Sequence, residues 1–388
     1  MRDDCCDTEC EQMVEQMRAL VRPTWHHFVP YTPGKSMASL AAESGIDLAD
    51  ICKLASNENA MPPSDVVKMA FVNSVSTLAR YPDGDGAPLK QALADELGVS
   101  PDCVVLGTGS NGLLDGLARL FLYPGQSALY AEHAFLVYRL AVQAVGAEGI
   151  EIPARHWAHD LDAFATVYRE RQQMGQTPRL IFLANPNNPT GTWFDQGALE
   201  SLLAVVDPTK TVLVLDEAYA EYCCDLATYP QSLALLPQHP NLVITRTFSK
   251  AWGLANLRVG YAIAHRALAR WLNTERAPFN VPGVGLTVAA AALTDKAYLR
   301  RVVDHNQNEL AILQRWCDEH GIGYIPSVAN FVTLETGARS GMDVYEDLLM
   351  RGVIVRPIAN YGLPHHVRVS IGSTEENLRF RNAFLTVL

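Results

Sequence analysis

The chain has 388 residues, 48% of them hydrophobic and 19% charged, enough to bury a large core and to form one large domain with a smaller one, or two of comparable size. Its net charge of −11 argues against nucleic acid as the main partner, because phosphate backbones are held by basic patches. No apolar run is long enough to span a membrane, and the acidic, polar start "MRDDCCDTECEQMVEQMR" is not a secretory signal, so a soluble, cytoplasmic protein is expected.

Residues 1–30 read as an N-terminal arm, partly mobile. Cys5, Cys6 and Cys10 cluster there, but no His or Cys set at zinc-like spacing follows them, so no metal site is expected. The other cysteines are scattered, as in a chain that keeps its thiols reduced. From about residue 100 strands and helices alternate. "CVVLGTG" leads into the helical pattern "SNGLLDGLARLFL", and then come "SALYAE", "GIEIPA", "RLIFLANP", "TVLVLDEAY", "LVITRTF" and "VGYAIA". Short, nearly continuous apolar runs suit strands buried on both faces of a mostly parallel sheet. Stretches such as "QGALESLLAVV" read as crossover helices. After about residue 280 the pattern changes. "LTVAAAALTDKAYLRRVVDHNQNELAILQRWCDEHG" reads as a long helix, followed by "NFVTLET", the helix "GMDVYEDLLMRG", and the strands "VIVRPI" and "HVRVSI". That is a smaller α+β domain.

Four stretches carry chemistry. In "LGTGSNG" a helix begins at Gly109, Ser110 and Asn111, and backbone N–H groups at a helix N-terminus bind phosphate; the spacing is not that of a nucleotide-binding P-loop. In "ANPNNPTG" two prolines and a glycine force an irregular loop after a strand, which leaves the Asn188 amide available, although an ordinary Asn-Pro turn reads the same way. "VLVLDEAYAEY" ends a buried strand on Asp216, with Tyr219 three residues on; the carboxylate either caps a helix or needs a cationic or hydrogen-bonding partner. "TFSKAWGLANLRVG" places Lys250 at a strand end, where open α/β sheets bind ligands, with Arg258 eight residues later. Alone, Lys250 could be a surface lysine. With the other three stretches it specifies a ligand that has a phosphate, a protonated ring nitrogen, a ring hydroxyl and a carbonyl. Pyridoxal 5'-phosphate has all four. Lys250 would bond its aldehyde carbon and Asp216 would pair with its ring nitrogen. Tyr219 and Asn188 would reach the ring hydroxyl, and Arg258 with Ser249 or Thr247 would bind the phosphate.

The order and spacing of "LASNEN", "RYPDGDG", "GTGSNG", "EHAFLVY", "NPNNPTGT", "VLDEAYAEY", "TRTFSKAWGLANLRVGY", "PFNV", "VIVRPIANYGLP" and "VRVSIG" resemble the fold-type I aminotransferases, and among them the histidinol-phosphate aminotransferase family, from about residue 31 to the C-terminus. The resemblance implies a large cofactor domain, residues 65–280, with a mostly parallel seven-stranded sheet in an αβα sandwich. It implies a small domain from residues 31–64 and 281–388. It also implies a homodimer with shared active sites, in which Tyr81 reaches the cofactor phosphate of the neighbouring subunit. Phe135 would stack on the cofactor ring, Arg368 would clamp a carboxylate or phosphate of the substrate, and Arg356 and Tyr31 would line the substrate pocket. Lys250, Asp216 and Tyr219 would be the catalytic group. The implied reaction is transamination between histidinol phosphate and 2-oxoglutarate, in histidine biosynthesis. An aromatic amino acid or a specialised metabolite is the alternative substrate, and decarboxylation on the same fold is the alternative reaction. The family's "NENPxGPS" is here "NENAMPPS", with Ala60 and Pro62 near the substrate mouth, and that bears on substrate more than on cofactor. A pyridoxal-phosphate-sensing regulator would carry a basic DNA-binding domain ahead of these motifs; about thirty acidic or mixed residues precede them here, so a regulator is not expected.

Overall fold

The computed structural model describes residues 10, 13–28 and 34–388. In chain order the strands of these residues are β1 (Cys52–Lys53), β2 (Val104–Thr108), β3 (Ser127–Ala131), β4 (Glu148–Ile152), β5 (Leu180–Ala184), β6 (Val212–Asp216), β7 (Leu242–Thr247), β8 (Val259–Ala264), β9 (Tyr324–Ile325), β10 (Phe331–Glu335), β11 (Val353–Ile354), β12 (Arg356–Ile358) and β13 (Leu363–Ser370). Seven of them form one sheet in the order β2-β8-β7-β6-β5-β3-β4. Only β8 runs against its neighbours; the other pairings are parallel.

Side chains of a strand point alternately to its two faces, and here both faces are covered. Ile181, Leu183, Leu213 and Leu215 pack into one core with Phe164 and Leu199 of the helices Leu161–Gln173 and Gln196–Leu203. Leu180, Phe182 and Val214 pack into the other, with Leu114 and Tyr138 of the helices Gly109–Phe121 and Leu136–Ala144. That double burial is why the strands read as unbroken apolar runs. Each aliphatic side chain fully withdrawn from water contributes about 1.5–3 kcal/mol. The expected mostly parallel seven-stranded α/β sandwich is the fold observed.

A second, antiparallel sheet has the order β12-β13-β10-β9, and β1 pairs in parallel with β11. The helix Lys296–His320 runs along both units. Its Val302 and Val303 pack with Tyr219 and Phe331, and its Leu313 and Trp316 lie in the core beside β10 and β13.

Three local expectations change. The long helix after residue 280 is two helices, Gly283–Ala292 and Lys296–His320. Asp295 starts the second by accepting the Tyr298 N–H at 2.9 Å. Residues 281–293, expected in the small domain, pack on the large sheet instead, because Val281, Val288, Ala289, Ala292 and Leu293 face its core. "VIVRPI" splits into β11 and β12, which pair with different partners.

The antiparallel β8 matters for chemistry. β7 and β8 are sheet neighbours, so their connecting loop returns at the carboxyl end of β7 and keeps Lys250 and Arg258 on one edge. β2 and β6 end on the same edge, at Thr108 and Asp216, where open α/β sheets form their ligand crevice.

Candidate active site

Lys250 follows β7 in a turn where the Thr247 hydroxyl accepts the Ser249 N–H at 3.1 Å. Its amine donates to the Ser56 carbonyl at 3.2 Å, and the residue lines the cleft described below. Removal from water, and then the charges of Arg368 and Arg258, pull its pKa from 10.5 to about 7; Glu58 and Asp216 oppose them. A lysine so placed is neutral in a large fraction of molecules at physiological pH, the form that can attack a carbonyl.

Asp216, 4% exposed, closes β6. Tyr138 donates to its Oδ2 at 2.8 Å and Thr245 to its Oδ1 at 3.1 Å. Among the described residues no cation forms an ion pair with it. Burial therefore pushes its pKa up to about 6, against those two hydrogen bonds. A carboxylate buried with only neutral donors fits a cationic ring nitrogen, which would restore its charged form.

The start of the helix Gly109–Phe121 has no side-chain cap. Gly109 has φ +67°, and a Cβ there would stand 2.7 Å from Arg258 Nη2. A Cβ on Gly260 would meet Gly109 C and Ser110 N at 2.4 Å. The two glycines thus let backbone and guanidinium close around one concavity. Arg258 Nη1 donates to Ser249 Oγ at 3.3 Å. Helix N–H groups, hydroxyls of Ser110, Ser249 and Thr247, and one guanidinium make an anion cradle.

Tyr219 is buried, and its hydroxyl accepts the Asn57 Nδ2–H at 2.9 Å. Burial holds its pKa up to about 12, so it keeps a proton to donate. Arg368 donates to Asn188 Oδ1 at 2.5 Å and to the Ala55 carbonyl at 2.7 Å. Its guanidinium also lies over the Phe331 ring, 5.4 Å from the centroid. Arg356 of β12 is the direct cross-strand partner of Arg368 of β13, which sets two cationic side chains side by side at one wall.

One cleft of ≈ 180 Å³ gathers Ser110, Asn111, Phe135, Asn188, Asp216, Tyr219, Thr247, Ser249, Lys250, Arg258, Arg356 and Arg368. Tyr81 is not in it; that ring is 83% exposed and stacks on Phe279 at 4.8 Å. Tyr31 lies outside the described residues, as do Cys5 and Cys6. Sequence reading did not single out Asn57, Tyr138, Thr245 or Tyr361. Asn57 sits in "LASNEN", Tyr138 ends "EHAFLVY" and Tyr361 is in "RPIANYG", so the motifs contained three of them without giving them a task. Thr245 is one of several alternating positions in β7 and carries no signal of its own.

A lysine drawn toward its neutral form by burial, a buried carboxylate suited to a ring nitrogen, and an anion cradle at strand ends define a pyridoxal-phosphate enzyme of the α/β class. The comparisons agree. Residues 49–384 match the family model "Aminotransferase class I and II". The chain is 49% identical over 370 residues to "Histidinol-phosphate aminotransferase 2" of Pseudomonas aeruginosa, covering 95% of this chain and 98% of that protein. It is 46% identical over 359 residues to "Histidinol-phosphate aminotransferase 1" of Nitrosococcus oceani, covering 92% and 94%. Among solved structures, the histidinol-phosphate aminotransferase of Sinorhizobium meliloti in complex with pyridoxal-5'-phosphate superposes with a TM-score of 0.85 at 27% identity, covering 95% of this chain and 97% of that one. The chain belongs to the class I and II aminotransferase family and is a pyridoxal-phosphate-dependent transaminase.

Proposed function

We propose that the enzyme carries an amino group between glutamate and imidazole-acetol phosphate, giving histidinol phosphate and 2-oxoglutarate, a step of histidine biosynthesis. The reading rests on the likeness to the Pseudomonas aeruginosa protein. One feature of the site carries it: Arg356 and Arg368, paired across two strands, both line the cleft that holds Lys250. Two substrates must use one pocket in turn, and each has an anionic end distant from its reacting carbon. Guanidinium groups bind carboxylate and phosphate alike in a bidentate fashion.

Bound in the cleft, pyridoxal phosphate would supply an electron sink for the carbon that loses and gains a proton. Asp216 would hold the ring nitrogen in its charged form. The Tyr219 hydroxyl and the Asn188 amide would fix the ring oxygen, and Phe135 would lie against the ring. Ser110, Asn111, Thr247, Ser249 and Arg258 would hold the phosphate. Lys250, released by the incoming amine, would move the proton as general base and then as general acid, a task suited to an amine whose pKa lies near 7.

The active form in this reading is a homodimer. Tyr81 does not line its own cleft and would complete the phosphate site of the neighbour. Val66, Met69, Val72, Val75 and Leu78 are 41–66% exposed on the stretch that leads to it, an apolar surface that a second copy would cover. Among the described residues no helix is long and apolar enough to cross a membrane, and the enzyme would work in the cytoplasm.

A panel of amino donors with 2-oxoglutarate tests the substrate. Histidinol phosphate should yield one glutamate per donor consumed, and faster than phenylalanine or tyrosine. Rapid turnover of the aromatic amino acids with none of histidinol phosphate would refute the reading and direct attention to Ala60 and Pro62.

A further inference from the structure

Two residues with no role in the cleft join it to the loop of residues 81–86. Arg276 follows the helix Arg266–Glu275. Its Nη1 donates to the Gly84 carbonyl at 2.8 Å and to Asn280 Oδ1 at 3.1 Å, and its Nη2 lies 3.5 Å from Asp85 Oδ1. Asn280 continues the chain of contacts. Its Nδ2 donates to the Leu106 carbonyl at 3.2 Å, and its carbonyl accepts the Thr108 hydroxyl at 2.8 Å. Thr108 ends β2 directly before Gly109 of the anion cradle. The loop also packs closely on the segment after Arg276. Tyr81 stacks on Phe279, a Cβ on Gly84 would stand 3.3 Å from the Phe279 ring, and one on Gly283 would stand 3.1 Å from Pro82.

We propose that Arg276 is a positioning residue for Tyr81, fixing the loop 81–86 relative to the phosphate cradle so that each subunit presents its Tyr81 to the neighbour's phosphate. The proposal rests on the shared-site dimer above. Its basis is the division of contacts. The guanidinium, only 15% exposed although Asp85 is 61% exposed, holds the loop by a backbone carbonyl and a carboxylate at once, a planar fork that a lysine cannot copy. Thr108 is held by the main chain of Asn280, a contact that survives without the guanidinium. Lys90 also holds Asp85, at 2.5 Å, so loss of Arg276 removes the tie between the Gly84 end of the loop and the segment 276–280 while leaving the cradle of its own subunit in place, and the defect falls on the partner's site. A residue that merely ended its helix would show no such displacement.

Two readouts test this. First, apoprotein is titrated with pyridoxal phosphate and with pyridoxal, which lacks the phosphate. Arg276→Met should weaken pyridoxal phosphate about tenfold, the effect expected for losing one hydrogen bond to a charged group, match Tyr81→Phe in this, and leave pyridoxal unchanged. Arg276→Lys should fall between native and Met, and serves alone if the Met variant does not fold. Equal weakening of both ligands, or of neither, overturns the proposal. Second, Arg276→Met subunits are exchanged with Lys250→Ala subunits at a pyridoxal phosphate concentration that loads native protein but not Arg276→Met, and activity should return in the hybrids, as it should for Tyr81→Ala with Lys250→Ala. Recovery with Tyr81→Ala but not with Arg276→Met overturns the proposal alone, since Arg276 then serves its own site. Recovery with neither, after exchange is verified by mass, overturns the shared-site dimer and the proposal with it.

Discussion

Lys250 and Asp216 are each drawn toward their neutral forms by the same burial, and each is suited to a partner that the protein does not itself supply. For Lys250 the consequence is a rate. Below pH 7 the amine is protonated, and above it free, so capture of pyridoxal phosphate by apoprotein should quicken as pH rises through about 7 and then level off. A rise centred near 10.5, the ordinary lysine value, would show that the cleft does not act on the amine. Reduction with borohydride followed by peptide mass spectrometry should put the pyridoxyl group on Lys250. For Asp216 the consequence is a stability. Its folded pKa, about 6, lies above the ordinary 3.8, so folding favours the protonated acid. That contribution is complete below 3.8 and is lost as pH rises through about 6. Asp216→Asn, uncharged throughout, should give an apoprotein that melts higher than native at pH 8 and level with it near pH 4. With cofactor bound the order at pH 8 should reverse, because the carboxylate then has its cation. Catalysis should fall about a thousandfold or more in the variant. A loss of only severalfold, or an apoprotein destabilised equally at both pH values, would contradict the pairing.

Strand ends and helix starts turn these residues into a site, and at this scale the sequence is legible in part. Parallel strands buried on both faces announce themselves as apolar runs, so β5, β6 and β7 and the residues at their ends could be read directly. The partners of Asp216 could not. Tyr138 lies 78 positions away in sequence, and its place is set by ring stacking on Phe182 at 5.0 Å, which no local pattern records. The reversed direction of β8 was equally hidden, because a short apolar run reads alike in either direction. So was the helix break at residues 293–295, where continued apolar spacing masked a capping aspartate. The glycines at the cradle give the element-scale prediction. Gly260→Ala would drive a methyl group against the backbone of Gly109 and Ser110 at 2.4 Å, and overpacking of this kind costs about 1–3 kcal/mol. Both melting temperature and affinity for pyridoxal phosphate should fall. Gly98→Ala, at φ +66° with nothing within 4 Å of the added methyl, should lower the melting temperature without touching affinity. Equal affinity in native and Gly260→Ala proteins would show that the close approach of β8 to the helix start does not shape the cradle.

At the scale of the whole molecule, two units meet at the cleft. β6, β7 and the start of the helix Gly109–Phe121 bring Asp216, Lys250 and the cradle; β12 and β13 bring Arg356 and Arg368. The segment around Asn57 and the helix Lys296–His320 tie the two together. Asn57 donates to Tyr219 on one side, and its N–H donates to Ser370 Oγ at 2.8 Å on the other. The large-sheet residues that line the cleft were legible from motif spacing. The substrate side depended on resemblance, since nothing local marks which arginines of a small sheet will face a cleft. The most direct test of the account is therefore a single-turnover half-reaction. Native holoenzyme is mixed with histidinol phosphate in the absence of any oxo acid, and the cofactor absorbance is followed. The account predicts complete conversion to the amino form of the cofactor, reversed by 2-oxoglutarate with one equivalent of glutamate, and a larger loss with histidinol phosphate than with glutamate in Arg356→Ala. No spectral change with histidinol phosphate, alongside prompt conversion by phenylalanine or tyrosine, would contradict it.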